Sequence, residues 1–376
     1  MRSAVYILSL ALLFSTWSSA QSSASFPKGV YFEYSIHAGK PFKHRPYITV
    51  DFSNPSFGTE LNLEFKTYGK KHWHQRCGFP RWGLALSYQH SGNEEKMGSG
   101  IGILPNISID FFKKNNFRIF GRMAVGLSII TKPYHPTNNP ENNVIGSYVN
   151  NNTAFRLGFA WRFHPNFELR PSATFTHYSN AATQLPNLGI NIPTFQLGIC
   201  YMPNPVEEKD YIYYDKENTP QRNKRIQFSV VTSFGFREMT ALSGPKYPVI
   251  QTSLDAGLYI NKSNRLKAGV EYDYIGAYYA FMLNHSSYSG DLHWKASRIS
   301  LYIADEIMIG RFSILVQVGV YLTQNPLQPS FLAFRLSGRY YILDPYLNPS
   351  TPFITITMKA HQIVAEYVSV GFGTTF

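Results

Sequence analysis

Along much of this chain apolar and polar residues take turns, and the pattern returns again and again. A strand with one dry and one wet face has this period of two. Phe57, Leu61, Leu63 and Phe65 are apolar, while Glu60, Asn62, Glu64 and Lys66 between them are polar. Ile101, Ile103, Ile107, Ile109 and Phe111 alternate with Gly102, Asn106, Ser108 and Asp110. Phe155, Leu157, Phe159, Trp161 and Phe163 alternate with Arg156, Gly158, Ala160 and Arg162, and Phe312, Ile314, Val316, Val318 and Val320 do so with Ser313, Gln317 and Gly319. Phenylalanines on one face and arginines on the other suit strands with lipid outside and a wet interior.

Composition narrows the fold class further. Aromatic residues make up 16% of the 376 residues and charged residues only 15%. A soluble globule carries about 25% charged residues. Mean hydropathy is −0.20, too polar for a bundle of helices that each need roughly 20 consecutive apolar residues. The expected fold is all-β, an antiparallel transmembrane β-barrel of about sixteen strands, within a range of about 12–16. The N-terminus reads as a signal peptide over residues 1–20. Arg2 supplies the positive end, Ala4 to Trp17 is mostly apolar, and Ser18-Ser19-Ala20 offers small residues for cleavage before Gln21. No cysteine follows the cut, which argues against a lipid anchor. The expected location is the bacterial outer membrane. The formal charge of +12, to which Arg2 contributes one, favours either anionic lipids or a charged lumen; nothing beyond that charge favours nucleic acid.

Barrels keep short turns on the periplasmic side and longer loops outside. Lys113-Lys114-Asn115-Asn116 and His164-Pro165-Asn166 read as short turns, and Pro133 to Asn152 as a long external loop. The charged, tyrosine-rich stretch 204–224 reads as a periplasmic connection between strands in 21–203 and strands in 225–376. The chain can therefore close as one large barrel or as two 8-stranded units. One barrel is favoured, because the last strand ends on Phe376, with Val368, Val370 and Phe372 on the same face, and the first half has no such ending. Cys77 and Cys200 both fall near the periplasmic rim, where a disulfide is permitted; two free thiols are the alternative. His72, His74 and Cys77 form a loose group, whereas a metal site needs three or four converging ligands, so neither a metal nor a cofactor is expected. Tyr134-His135-Pro136 reads as a turn.

One strand breaks its own pattern. Phe167, Leu169, Pro171, Ala173 and Phe175 are apolar at odd positions, with Glu168, Arg170, Ser172, Thr174 and Thr176 between them. The odd face then continues as His177 and Ser179. Parity puts both on the lipid-facing side, where polar groups are costly unless they are paired or near the interface. Residues two apart share a face, as a serine nucleophile and its general base require. On the following strand Asn191 shares the parity of Pro193, Phe195, Leu197 and Ile199, so it can neighbour His177. An asparagine orients the histidine in Cys-His-Asn proteases.

The stretch His177-Tyr178-Ser179-Asn180-Ala181, with Pro186-Asn187-Leu188-Gly189-Ile190-Asn191 after it, resembles the active-site segment of the lipid A 3-O-deacylase family. Phe79-Pro80-Arg81-Trp82-Gly83 and Val144-Ile145-Gly146-Ser147 resemble longer, acyloxyacyl hydrolase-type relatives of that family. The likeness covers about Gly29 to Tyr201, and Met202 to Phe376 is similar to the extra length of those longer relatives. The resemblance implies a barrel in the bacterial outer membrane with its catalytic residues facing the lipid, hydrolysing an ester-linked acyl chain of lipid A without a cofactor. It implies Ser179 as nucleophile, His177 as general base, and Asn180 with the backbone at Ala182 as the oxyanion site. Asn191 stands where the family has a glutamate. It can fix the tautomer of the imidazole but adds no charge, and loss of such an acid can cost about 10⁴ in rate when the wrong tautomer results. The implied partners are lipid A and its lipopolysaccharide, other outer-membrane lipids and, during biogenesis, the barrel assembly machinery. Two other readings remain. One is an anion channel lined by Arg156, Arg162, Arg335 and Arg339; the other is a barrel that keeps the motif without activity.

Overall fold

The computed structural model describes residues 26–52, 54–215, 226–239, 242, 244–323, 325–327, 330–361 and 364–376. The leader expected over 1–20 and the start at Gln21 lie outside these, as does the end of the connection from 216 onward. Sixteen strands form, all antiparallel to their neighbours, in two closed barrels of eight. The first barrel is β1 (Val30–Gly39), β2 (Ser56–Lys66), β3 (Arg81–His90), β4 (Ser99–Lys114), β5 (Phe117–Ile130), β6 (Val149–His164), β7 (Phe167–Ser179) and β8 (Ile190–Tyr201). The second is β9 (Ile226–Arg237), β10 (Tyr247–Tyr259), β11 (Asn264–Ile275), β12 (Ser297–Ile309), β13 (Phe312–Tyr321), β14 (Leu332–Tyr341), β15 (Thr351–His361) and β16 (Val364–Thr375). Among the described residues three short α-helices lie between strands: α1 (His72–Arg76), α2 (Gly276–Leu283) and α3 (Leu292–Lys295).

The expected single barrel is thus corrected to two. β8 folds back on β1, with Phe32 opposite Tyr201 and Gly39 opposite Thr194, and β16 pairs with β9 in the same way. Closure removes every open sheet edge and depends on the register of first and last strands, so no terminal aromatic is needed to seal the first eight. The alternation is obeyed in both barrels. Phe57, Leu61, Phe155, Leu157, Ile303 and Val316 are exposed outward, while Glu60, Asn62, Arg156 and Gln317 are buried inside. Two-residue turns at Asn115–Asn116 and Pro165–Asn166 close β4–β5 and β6–β7 at the end that the turn rule makes periplasmic.

Eight strands leave an interior just wide enough for side chains to fill, and here the filling is ionic. In the first barrel Arg170 lies 2.6 Å from Glu33 and 2.9 Å from Glu64, and Arg156 lies 2.7 Å from Glu33. Arg122 grips Glu60 through two hydrogen bonds of 2.8 and 2.7 Å. In the second, Arg265 pairs with Glu306 at 2.6 Å, Arg298 with Glu366 at 2.9 Å, and Arg335 with both Glu271 and Asp273 at 2.6 Å. A buried charge is tolerated when it is paired and hydrogen-bonded, and costs several kcal/mol otherwise. These networks also correct the channel reading. Arg156, Arg335 and Arg339 are buried in two separate interiors, Arg339 lying 3.7 Å from Glu306. Arg162 holds Glu207 at 2.7 Å near the β6–β7 turn.

The proposed disulfide is corrected as well: both cysteines are free. Cys200 is fully buried on the inward face of β8. Cys77 caps α1, and its thiol points to the Met308 carbonyl of the second barrel at 3.4 Å. The two barrels touch at both ends. At the periplasmic end Arg76 lies 3.1 Å from Asp344 with its guanidinium over the Tyr346 ring, and Ser263 donates to the Arg76 carbonyl.

Candidate active site on the outer face of the first barrel

The outer end of β7 and the start of β8 carry the expected residues. The register sets His177 directly opposite Asn191 and Tyr178 opposite Ile190. His177 Nδ1 and Asn191 Oδ1 are 2.6 Å apart. An asparagine oxygen only accepts, so Nδ1 carries the proton and Nε2 is left with its lone pair. Ser179 is the last residue of β7 and is buried. On the other side of β7, β6 sets Thr153 opposite His177 and Asn151 opposite Ser179. These two are also polar on the outward parity, and Thr153 Oγ1 donates to Asn151 Oδ1 at 2.8 Å. A polar island of five side chains therefore interrupts the apolar outer wall across three strands. His177 and Asn191 meet across the β7–β8 pair, and Ser179 lies two residues further along β7.

The loop after Ser179 is built tightly. Ala181 and Ala182 follow with φ of 50° and 60°, a left-handed pair that turns the chain sharply away from the strand. Asn180 ties the loop together. Its backbone N–H donates to Asn187 Oδ1 at 2.9 Å, and its side-chain amide donates to Ser147 Oγ and the Gln184 carbonyl, both at 2.8 Å. Both protons of that amide are thus engaged within the loop, whereas the carbonyl of Ala182 accepts from Glu238 N–H at 3.3 Å.

Several contributors were missed by sequence reasoning. Gly189 has φ of 76°, and a Cβ there would lie 2.8 Å from His177 Cε1; only glycine lets this loop pass over the imidazole. The loop between β1 and β2 crosses the start of β8. Phe42 N–H donates to the Asn191 carbonyl at 3.2 Å, His44 Nε2 lies 3.1 Å from the Leu188 carbonyl, and the Phe42 ring leans on Phe175. Beneath the loops, Ile48, Val50, Phe52, Met97, Val144, Ile145, Tyr178, Ile190 and Ile192 form an apolar plug in the outer mouth of the barrel. At the opposite end the loose histidine group is accounted for otherwise: His74 Nδ1 accepts from Gly69 N–H and His72 stacks on Tyr214.

A closed eight-stranded barrel with a filled interior, an apolar outer wall and a hydrogen-bonded polar cluster on that wall is of the outer-membrane barrel class. Comparison with known families gives the particular one. Residues 57–199 match the model of the family described as Lipid A 3-O-deacylase (PagL), and residues 226–376 match the acyloxyacyl hydrolase C-terminal domain. The chain belongs to the lipid A 3-O-deacylase family of the bacterial outer membrane, in a longer form whose second barrel is that C-terminal domain. No curated protein matches it. Among solved structures, Neisserial surface protein A is 9% identical with a TM-score of 0.33, covering 46% of this chain and 97% of its own. The outer membrane enzyme PagL is 17% identical with a TM-score of 0.30, covering 44% and 97%. Likenesses this weak carry no functional argument.

Proposed function

We propose that this protein is a serine esterase that removes an ester-linked acyl chain from lipid A in the outer leaflet, with Ser179 as nucleophile, His177 as general base and Asn191 as its orienting partner. The observation that carries the reading is the 2.6 Å hydrogen bond from His177 Nδ1 to Asn191 Oδ1, on the lipid-facing wall and two residues from a serine. In this tautomer Nε2 takes the Ser179 proton as Oγ attacks the acyl carbonyl. The oxyanion forms beside the left-handed turn, where the N–H of Ala182 is the backbone donor and Asn180 holds the turn in place, its own amide being a second donor if one of its loop contacts yields. Collapse breaks the ester, Nε2–H protonates the departing sugar oxygen, and the acyl group stays on Ser179. Water then attacks the acyl-enzyme, gives its proton to Nε2, and the fatty acid leaves. Every proton is supplied by the chain or by water.

The β1–β2 loop supports an anionic lipid as substrate. Lys40, Lys43 and Arg45 flank Phe42 beside the site, and none of them makes an ion pair with an acidic side chain among the described residues. Cations without counter-charges at the headgroup level favour a phosphorylated lipid. Export with loss of residues 1–20, and capture by the assembly machinery through the strand ending at Phe376, complete the proposed path to the membrane. The test is mass spectrometry of lipid A after incubation with the refolded protein and with Ser179→Ala. Loss of one acyl chain with the parent protein only is the expected result; identical lipid A profiles for the two would overturn it.

A further inference from the structure

The second barrel reaches into the loop that follows Ser179. β9 ends at Arg237, and the next residue, Glu238, is 2% exposed although it sits beyond a strand end, where side chains usually meet solvent. Its carboxylate Oε2 accepts from Leu185 N–H at 2.6 Å, and its own backbone N–H donates to the Ala182 carbonyl at 3.3 Å. The two contacts grip the loop at two points three residues apart. One of them is the residue whose amide faces the oxyanion in the reaction proposed above. On its far side the loop is braced by the first barrel alone: a Cβ on Gly146 would meet the Leu185 and Pro186 backbone within 2.8 Å, and Ser147 holds Asn180. The turn at Ala181–Ala182 is a costly backbone conformation for residues that bear a Cβ, so it needs support from both sides. Among the described residues the hydrogen bond recorded for the Glu238 carboxylate comes from the loop, and a carboxylate brought out of water is stabilised by such a bond.

We infer that Glu238 is a positioning residue for acyl transfer, supplied by the C-terminal barrel, which thereby completes a site that lies wholly on the first barrel. The inference rests on the esterase reading. A loop displaced by about 1 Å can cost up to about 10²-fold in rate without altering substrate binding, so the effect belongs in kcat.

The experiment uses the full-length protein refolded in lipid A-containing vesicles, with folding checked by the mobility of unheated samples on gels. Parent, E238A, E238Q and Ser179→Ala are compared for kcat, KM and pH profile. E238A is expected to lower kcat about tenfold with KM changed less than twofold and the pH profile unmoved, whereas E238Q, whose side-chain oxygen still accepts from Leu185 N–H, retains at least half of kcat. A parent-like kcat in E238A, or an E238Q loss as large as that of E238A, overturns the inference. If E238A does not refold, E238D takes its place; it keeps the charge but withdraws the acceptor by one methylene, and a parent-like kcat there overturns the inference too. Ser179→Ala separates the two claims. If it turns over lipid A like the parent, the esterase reading fails; if it is inactive while E238A keeps full kcat, only the role of Glu238 fails.

Discussion

The seventh strand of each barrel carries, at or near its end, a histidine with a hydrogen-bonded partner, and the two side chains face opposite ways. In the first barrel His177 points outward and meets Asn191 at 2.6 Å. In the second, His361 at the end of β15 points inward and meets Glu366 at 2.9 Å. By residue content the second pair is the better catalytic dyad, since glutamate supplies the charge that Asn191 lacks. Yet Glu366 is claimed by Arg298 at 2.9 Å and Arg237 at 3.0 Å, and His361, Glu366 and Arg298 are buried within the barrel. His361 keeps the inward parity of Thr355, Thr357 and Lys359 on β15, and the register shift opposite Lys359 and Ala360 leaves Glu366 as the extra residue of β16. In the proposed mechanism the outward pair acts on lipid, whereas the inward pair belongs to the ionic core of its barrel.

The contrast can be broken by removing each histidine. His177→Ala should reduce release of fatty acid by about 10³-fold or more, while His361→Ala should stay within twofold of the parent in the same assay. Comparable losses in both would mean that the inward dyad takes part. Next in size is stability. Glu366→Ala strips the partner from buried Arg298 and part-buried Arg237 and should cost about 3 kcal/mol of unfolding free energy; guanidinium titration of the vesicle-inserted protein, followed by tryptophan fluorescence, reads this directly. A midpoint unchanged from the parent would show that the network carries little. Asn191→Ala gives the opposite signature, with unfolding altered by less than about 1 kcal/mol and a rate about 10²-fold lower as the imidazole loses its preferred tautomer. Asn191→Glu then sharpens the comparison by giving the outward dyad the charge of the inward one, and turnover should rise; a fall would mean that the surroundings of Asn191 cannot hold an acid. The smallest effect is expected at Gly189, where alanine would press on the imidazole and lower kcat about tenfold, visible as slower acyl release with the midpoint lowered by the strained positive φ.

Much of this was readable in the residues because a period of two carries one fact per position: which face it takes. That was enough to find sixteen strands, to see His177 and Ser179 on the wrong face and to align Asn191 with them. Asn151 and Thr153 show the same parity break on β6 and could have been found by applying the test to every strand. The number of barrels was not readable, because closure is a matter of which strands meet, and alternation is the same whether β8 pairs with β1 or with β9. The even parity of Cys200 already pointed it inward, away from a cysteine on a helix outside the wall. Glu238 had no signal at all. It lies in the second half of the chain at the end of an ordinary strand, and only the side-by-side placement of the barrels brings it to Leu185.

The ionic filling of both barrels has a consequence for the cell. A hydrophilic solute needs a continuous aqueous path, and interlocked arginines and glutamates leave it none through either interior. Each copy therefore takes up membrane area without opening a wide aqueous path across it.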